Sequence, residues 1–430
     1  LSKENELTGT VMRYDYDRFD FLIRQETIQG SETDVIYRMP DFVGNLFETP
    51  DKKDRKYGAG GKLLEDPDCF YHYDNEGNLV FREFKELRGS DIRYDRKRMK
   101  KERGISFLAT GTGWNYKWNS NGTLKKVIRP DGRPVEFQYD ALGRRTSKQY
   151  FGKKTRWIWN GNVPLHEWSY KVTDEQSNEE ENIQKEPTED IITWVFEVGT
   201  LIPTAKMLDS KQHSIVSDHL GTPIQMYDEQ GNKIWDCILN IYGKVTSFKG
   251  SSLGDCPFRF QGQYEDEETE LYYNRFRYYS PNLGNYVSQD PIEFAGNNPT
   301  FYGYVYDTNS GLDLFGLNIV TVYHYTSKKS YNKISSQSPY VFKASIPKKG
   351  NPKGVYVTTK SPEILAKNNN GYKKLGLTGN KSSHFFEIQI DDSKLKSLNG
   401  DRGQFIKYID GDVEIDRSSV TRHGETPKIH

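Results

Sequence analysis

Three features of the 430-residue sequence predict a large all-β body of stacked hairpins followed by a small α+β domain. The first is a turn motif that recurs five times between residues 57 and 231. The second is composition: 13% aromatic residues and 37 Gly beside only 34% hydrophobic residues suit sheets covered by rings better than helices packed along aliphatic stripes. The third is a change of character at Gly316-Leu317-Asn318. From Asn318 onward 19 Lys and Arg face 10 Asp and Glu, a net +9, and the preceding residues carry −9, although the whole chain is neutral. All seven Trp and all three Cys precede that point. The predicted domains are therefore 1–317 and 318–430.

In the first domain an aromatic residue is followed four positions later by Gly in Tyr57-Gly-Ala-Gly-Gly61, Tyr73-Asp-Asn-Glu-Gly77, Trp118-Asn-Ser-Asn-Gly122, Tyr139-Asp-Ala-Leu-Gly143 and Tyr227-Asp-Glu-Gln-Gly231. Alternating residues such as Phe137-Gln-Tyr139 read as strand, Asp or Asn starts a turn, and Gly supplies the positive φ that closes it. A second strand comes next, as in Asn78-Leu-Val-Phe-Arg82. Such hairpins stack into a long antiparallel sheet in which each strand's rings cover its neighbours. The stretch from Thr173 to Asp190, with eight acidic residues and one Lys, reads as a solvated loop.

Several classes are excluded. This many aromatics argues against disorder, and no run of 18 apolar residues offers a membrane-spanning helix. Cys69, Cys237 and Cys256 are odd in number and share no metal or disulfide spacing, so no metal is expected. The first residues show neither a signal pattern nor Met, so Leu1 is expected to lie inside a longer precursor.

The repeats resemble the YD repeats of Rhs proteins. Trp157-Ile-Trp-Asn-Gly161, Thr193-Trp-Val-Phe-Glu197, Ser217-Asp-His-Leu-Gly-Thr-Pro223 and Arg275-Phe-Arg-Tyr-Tyr279 are similar to the ordered landmarks near the end of the Rhs core. Ser288-Gln-Asp290-Pro291-Ile292, an aromatic strand around Tyr302 and Tyr304, and Asp313-Leu-Phe-Gly316-Leu317 are similar to its terminal signature. The resemblance implies an aspartyl autoprotease within about residues 270–317. Asp290 and Asp313 would be its catalytic pair, with cleavage after Leu317. Two carboxylates held close suit that chemistry, because one stays protonated as acid while the other activates water. The family has Asp-Pro where this chain has Asp313-Leu314. Both aspartates can instead be read as turn residues.

In the second domain the pattern predicts strands at 320–325, 354–359, 383–390, 404–409 and 412–415 and helices at 327–335 and 362–368. Tyr323-His324-Tyr325-Thr326-Ser327, Lys353-Gly354-Val355-Tyr356-Val357-Thr358-Thr359 and Gly403-Gln404-Phe405-Ile406-Lys407-Tyr408 are similar in order and spacing to the ADP-ribosyltransferase fold of the His-Tyr clade, whose toxins are frequent C-terminal cargoes of Rhs chains. The resemblance implies transfer of ADP-ribose from NAD, the substrate. His324 would hydrogen-bond a ribose hydroxyl with Tyr325 and Thr326 beside it, and Tyr356 would stack on the nicotinamide. Strand position assigns the third catalytic role to Gln404, with Asp391, Asp401, Asp410 and Asp412 as competitors. It also implies delivery by a secretion machine, often type VI, through an N-terminal region absent here, into the cytoplasm of competitor bacteria, and a cognate immunity protein. The +9 charge, with Lys348-Lys349, Lys373-Lys374 and Lys381 near aromatics, suits an RNA acceptor, and a translation protein stays open. Two rival readings remain: a metal-independent ribonuclease using His324 with His384 or His423, and a non-enzymatic adhesive shell.

Overall fold

The computed structural model describes residues 2–5, 9–18, 21–87, 92–172, 187–198, 200–291, 300–317, 319–345, 352–358, 360–367, 372, 375, 377, 379–391, 395–397, 406–415 and 417–427. The chain divides into two compact units, one made of Leu1–Phe196, Ile202–Phe294 and Asn298–Leu317, the other chiefly of Asn318–His430.

The first unit is a shell. Among the described residues its main sheet has sixteen strands, from Lys56–Tyr57 to Val245–Lys249, each hydrogen-bonded to the strand next in sequence. The recurring turn explains that order. In Asp140–Gly143 the Gly143 N–H donates to the Asp140 carbonyl at 3.0 Å, and the Asp140 N–H donates to the Arg144 carbonyl at 2.9 Å. The Asp140 carboxylate then accepts the N–H groups of Leu142 and Arg144, both at 2.9 Å. Gly143 has φ +74°, which a side chain disfavours. The same backbone pair closes the other four turns read from sequence, with Gly58 in place of Asp or Asn in the turn that ends at Gly61.

Four more turns share that pattern, starting at Asp41, Arg129, Asp218 and Asn240. No aromatic residue precedes them, which hid them in the sequence. The aromatic is thus a packing choice, and the turn needs the Gly with, in most copies, an acceptor side chain three residues earlier. One helix was not expected: Arg96–Arg103, capped by the Asp95 carboxylate, which accepts from Lys97 and Arg98 N–H, and ended by Gly104 at φ +69°.

A second sheet, Tyr264–Asp266, Leu271–Asn274, Arg277–Ser280 and Asn285–Tyr286, packs against the main one. Every residue of its two central strands is buried. Leu271, Tyr273 and Tyr278 join Trp114, Tyr116 and Phe137 in one core, while Tyr272, Tyr279, Tyr286 and Tyr304 pack with Phe260 in another. Arg145 ties the two sheets together. Its buried guanidinium pairs with Asp266 and lies 4.4 Å from the Trp157 ring centre and 4.5 Å from that of Tyr273. All three cysteines are free and buried, and burial pushes the thiols of Cys237 to about 11 and Cys256 to about 12.

The second unit is a six-stranded antiparallel sheet in the order Lys396–Ser397, Ile406–Asp410, Gly354–Thr358, Ile319–Thr326, His384–Asp391, Val420–Glu425, beside a two-stranded ribbon of Tyr340–Phe342 and Val413–Ile415. One face carries Val322, Val355, Val357, Phe386 and Ile409, and Tyr323, Tyr325, Leu365, Tyr372 and Phe385 form a second cluster. The helices are Lys328–Ser335, whose first turn is capped by the Ser327 hydroxyl, and Pro362–Lys367. The architecture is the predicted one, an all-β shell and a small α+β domain. Among the described residues no helix is long and apolar enough to cross a membrane.

Candidate active sites

Two sites can be built from the residues upward, one in each unit. At the end of the shell, Asp290 and Asp313 are both buried, at 2% and 0% exposure, and converge on one cation. Nη2 of Arg277 lies 3.0 Å from Asp290 Oδ2 and 3.2 Å from Asp313 Oδ2, which places those oxygens within about 6 Å of each other. The same guanidinium donates through Nε to the Gly316 carbonyl and lies 3.6 Å from the Tyr286 ring centre. The Leu317 N–H donates to Asp313 Oδ1 at 2.9 Å, and the Asn274 amide donates to the Asp313 carbonyl at 2.8 Å. Gly316 sits at φ +68°, where a Cβ would stand 2.6 Å from the Asn274 carbonyl oxygen. The segment that ends in Leu317 is therefore held on both its main chain and its carboxylate.

Arg277 does not stand out in the sequence, because Arg275-Phe-Arg-Tyr-Tyr279 reads as an ordinary aromatic strand. Its role exists only once the fold brings Asp290 and Asp313 to it. Asn318, on the far side of the expected cut, lies outside the described residues.

In the second unit His324 stands opposite Phe386 in the His384–Asp391 strand and meets the edge of the Phe342 ring, with centres 5.1 Å apart. Its Nδ1 lies 2.9 Å from the Tyr356 carbonyl oxygen. A carbonyl can only accept, so Nδ1 carries the hydrogen, and the neutral ring presents Nε2 as an acceptor. Burial lowers the His324 pKa below its ordinary value, partly offset by that hydrogen bond, and so favours the neutral ring. Among the described residues the ladder between Ile319–Thr326 and Gly354–Thr358 shows one pair, Tyr323 and Thr358, and the imidazole-to-carbonyl bond joins the strands beyond it. Gly354 allows the neighbouring strand to approach: a Cβ there would stand 2.4 Å from the Ile409 carbonyl oxygen.

Tyr356 is half-buried. Val355 and Val357 belong to the core that includes Phe342, so the period-two alternation of the strand sends the Tyr356 ring to the other face. There it lies 6.0 Å from the Tyr408 ring, and its hydroxyl donates to the Pro352 carbonyl. The expectation that the His324 and Tyr356 rings flank one ligand changes accordingly, for the two residues meet through an imidazole and a main-chain carbonyl. Tyr325 is buried with Tyr372 and Phe385 and donates its hydroxyl to the Lys360 carbonyl at 2.9 Å, so it serves packing. Thr326 is buried at the end of the same strand.

Gln404 and Asp401 lie outside the described residues, as do Lys348, Lys349, Lys373, Lys374, the side chain of Asp391 and most of the acidic loop. Asp410 pairs with Lys396, and Asp412 pairs with Lys343 at 2.8 Å while accepting the Ala344 N–H. The histidines of the ribonuclease reading are occupied. His423 has Nδ1 2.7 Å from the Tyr331 hydroxyl and Nε2 3.3 Å from that of Tyr340, and His384 is buried with Nδ1 on Ser383 Oγ. Phe386 separates His324 from His423 in the sheet register, so their backbones are two strand spacings, roughly 9–10 Å, apart.

Comparison with known proteins agrees with both halves. The family model described as Teneurin YD-shell matches residues 12–310, and that described as HYD1 signature containing ADP-ribosyltransferase matches residues 322–418. Among curated proteins the chain is 29% identical over 268 residues to the probable deoxyribonuclease RhsB of Dickeya dadantii, covering 60% of this chain and 16% of that protein. It is 27% identical over 294 residues to the double-stranded DNA deaminase toxin A of Burkholderia cenocepacia, covering 64% of this chain and 19% of that one. It is 48% identical over 88 residues to the toxin protein Tse5 of Pseudomonas aeruginosa, covering 20% and 6% respectively. The chain thus spans less than a fifth of the length of these relatives. A match of 268 residues is more than twice the length of segment 318–430, so most of the likeness to RhsB lies in the shell. Among solved structures, that titled TcdB2-TccC3 aligns over 74% of this chain and 19% of that one at 19% identity and a TM-score of 0.38. With the YD-shell match spanning more than half its length, the chain belongs to the YD-shell family of Rhs-type polymorphic toxins, and it carries a HYD1-type ADP-ribosyltransferase domain at its C-terminus.

Proposed function

We propose that the shell cuts its own chain after Leu317 and that residues 318–430 then transfer ADP-ribose from NAD to an RNA or a translation protein in the cytoplasm of a competitor bacterium. The domain boundary in this reading is Leu317. Delivery would use a secretion machine through parts of the protein outside this chain, and an immunity protein would protect the producer. The names of the relatives support the toxin setting, since they describe a toxin and two nucleic-acid-modifying enzymes, and the differing activities fit one shell carrying different cargoes.

The observation that carries the transferase reading is the tautomer fixed at His324, within the segment that matches the HYD1 family. With Nδ1–H committed to the Tyr356 carbonyl, Nε2 can accept a hydrogen bond from a ribose hydroxyl. That contact orients the sugar whose glycosidic bond breaks as nicotinamide leaves. Tyr356 sends its ring to the face opposite His324, so the nicotinamide stack expected of it does not go with a ribose held at His324, and Gln404 stays the candidate for the third role. The occupied nitrogens of His423 and its distance from His324 disfavour a ribonuclease.

The self-cleavage reading rests on Asp290 and Asp313 meeting at Arg277 with the Leu317 N–H on Asp313. Asp290→Asn and Asp313→Asn are each expected to leave an uncut chain, and continued cutting in both removes the claim. For the cargo, expression of residues 318–430 in bacteria is expected to arrest growth and place label from NAD in an RNA or protein fraction, with His324→Ala losing both. Toxicity intact in His324→Ala, with no label in either fraction, excludes the transferase.

A further inference from the structure

Residues 92–103 hold seven Lys and Arg against Asp95 and Glu102, a net +5 inside a shell whose net charge is −9. Six of the seven basic residues lie on the helix Arg96–Arg103. Its inner side is fixed: Met99 is buried with Val80, Phe81 and Ile105, and Arg103 donates to the Asn115 side-chain oxygen at 3.1 Å and to the Tyr116 carbonyl at 2.9 Å. With about 3.6 residues per turn, Lys97 and Lys101 then point away from the shell with Lys100 beside them, and all three are exposed. Both acidic residues are engaged, Asp95 as the helix cap and Glu102 as the acceptor of Arg98 Nε at 3.0 Å. Arg96 donates to the Ala109 carbonyl at 3.0 Å, which sets residues 107–109 alongside the helix. A buried carboxylate anchors that segment. Glu83, with no exposed surface, accepts the N–H groups of Leu108 and Ala109 at 2.9 Å and of Gly111 at 3.0 Å. So held, Leu108 keeps its side chain 66% exposed, and Ile92, three residues before the cap, is 48% exposed.

We propose that the helix Arg96–Arg103 and Leu108 form a docking surface for an anionic phospholipid bilayer, with Lys97, Lys100 and Lys101 against the headgroup phosphates and Leu108 in the acyl boundary. The inference stands apart from the self-cleavage and transferase readings. Charge complementarity selects an anionic partner: without residues 92–103 the shell would stand at −14, so their +5 runs against the charge that keeps the rest of it in solution. The aliphatic neighbour selects the bilayer. A leucine side chain gains by leaving water for the acyl region, whereas single strands of nucleic acid are held by stacking on open aromatic rings and a duplex backbone rewards charge alone. The rings nearest the helix are covered. Phe107 lies under the Arg96 guanidinium and against Phe81, and Tyr94 packs on Phe81 from another side. The contact is peripheral, because a helix of eight residues is about 12 Å long, far short of a membrane span.

The test sediments the full chain with phosphatidylcholine vesicles that contain about one third phosphatidylglycerol, and with vesicles of phosphatidylcholine alone, at low and at physiological salt. Wild type is expected to bind the charged vesicles and not the neutral ones, more tightly at low salt. Each basic side chain close to an anionic surface strengthens binding about fivefold, so the triple variant Lys97→Gln, Lys100→Gln, Lys101→Gln is expected to bind about a hundredfold more weakly and with a flatter salt dependence. Leu108→Ser is expected to bind about tenfold more weakly with the salt dependence unchanged. All four side chains are exposed, so both variants keep the fold, which the tryptophan fluorescence of the shell checks. Residues 318–430 are basic as well, so binding that survives the triple substitution belongs elsewhere in the chain and overturns the proposal. Equal binding to both kinds of vesicle, no binding by wild type, or a Leu108→Ser chain that binds like wild type overturns it too. A duplex DNA or single-stranded RNA oligonucleotide bound more tightly than the charged vesicles, and lost in the triple variant, puts a nucleic acid in place of the bilayer and likewise overturns it.

Discussion

Arg277→Met tests how much of the shell depends on one buried cation. The side chain has no exposed surface, and neither has the carboxylate of Asp290 or of Asp313 with which it pairs. Removing the cation leaves two buried carboxylates without their shared partner and the Gly316 carbonyl without its donor, which costs about 3–5 kcal/mol by analogy with other buried pairs that lose one member. All seven Trp lie before Asn318, so tryptophan fluorescence reports the unfolding of the shell without interference from the C-terminal domain. For a shell of this size that cost corresponds to a fall of about 1 M in the urea midpoint. Adding Asp290→Asn and Asp313→Asn to Arg277→Met removes the stranded charges and is expected to restore roughly half of the loss. A midpoint unchanged by Arg277→Met, or a triple variant no more stable than the single one, refutes the reasoning.

Asp140→Ala removes the acceptor of two turn N–H groups and the partner of Arg144 Nε at 2.6 Å, and is expected to cost about 1–2 kcal/mol by the same fluorescence assay. The His324 pKa lies below the ordinary 6.5, so transferase rate is expected to hold from pH 8 through 6.5 and to fall only below it, measured by nicotinamide release. The same shift means that between its folded and unfolded values the unfolded chain binds the proton more readily. Stability of the C-terminal domain therefore falls as pH drops from about 6.5 through the folded value, and His324→Phe weakens that dependence, leaving the part due to His423, whose pKa burial and Arg417 also lower, measured by urea unfolding followed by far-ultraviolet circular dichroism.

The hairpin shell was legible because its turn chemistry is local. Asp140 and Gly143 determine each other's conformation within four residues, and the copies at Asp218 and Asn240 were hidden only by the lack of an aromatic residue before them. The strands and helices of the C-terminal domain were legible for the same reason: periodicity and a capping Ser327 are short-range signals. Further strands, Tyr340–Phe342 and Val420–Glu425, escaped because they are short or polar on their exposed positions. What sequence could not carry was convergence. Arg277 sits in an aromatic strand that reads like any other, and only the fold sets it between aspartates 13 and 36 residues away. The facing of Tyr356 is also a matter of register, since its parity relative to His324 depends on how two strands 30 residues apart are paired.

The most direct test of the central claim is release of nicotinamide from NAD by the purified protein, compared between wild type and His324→Ala. The account predicts release and transfer by the wild type and a loss of about a hundredfold or more in the variant, as befits a group that orients the reacting ribose. Equal release by the two proteins, or RNA cut in the absence of NAD, contradicts it.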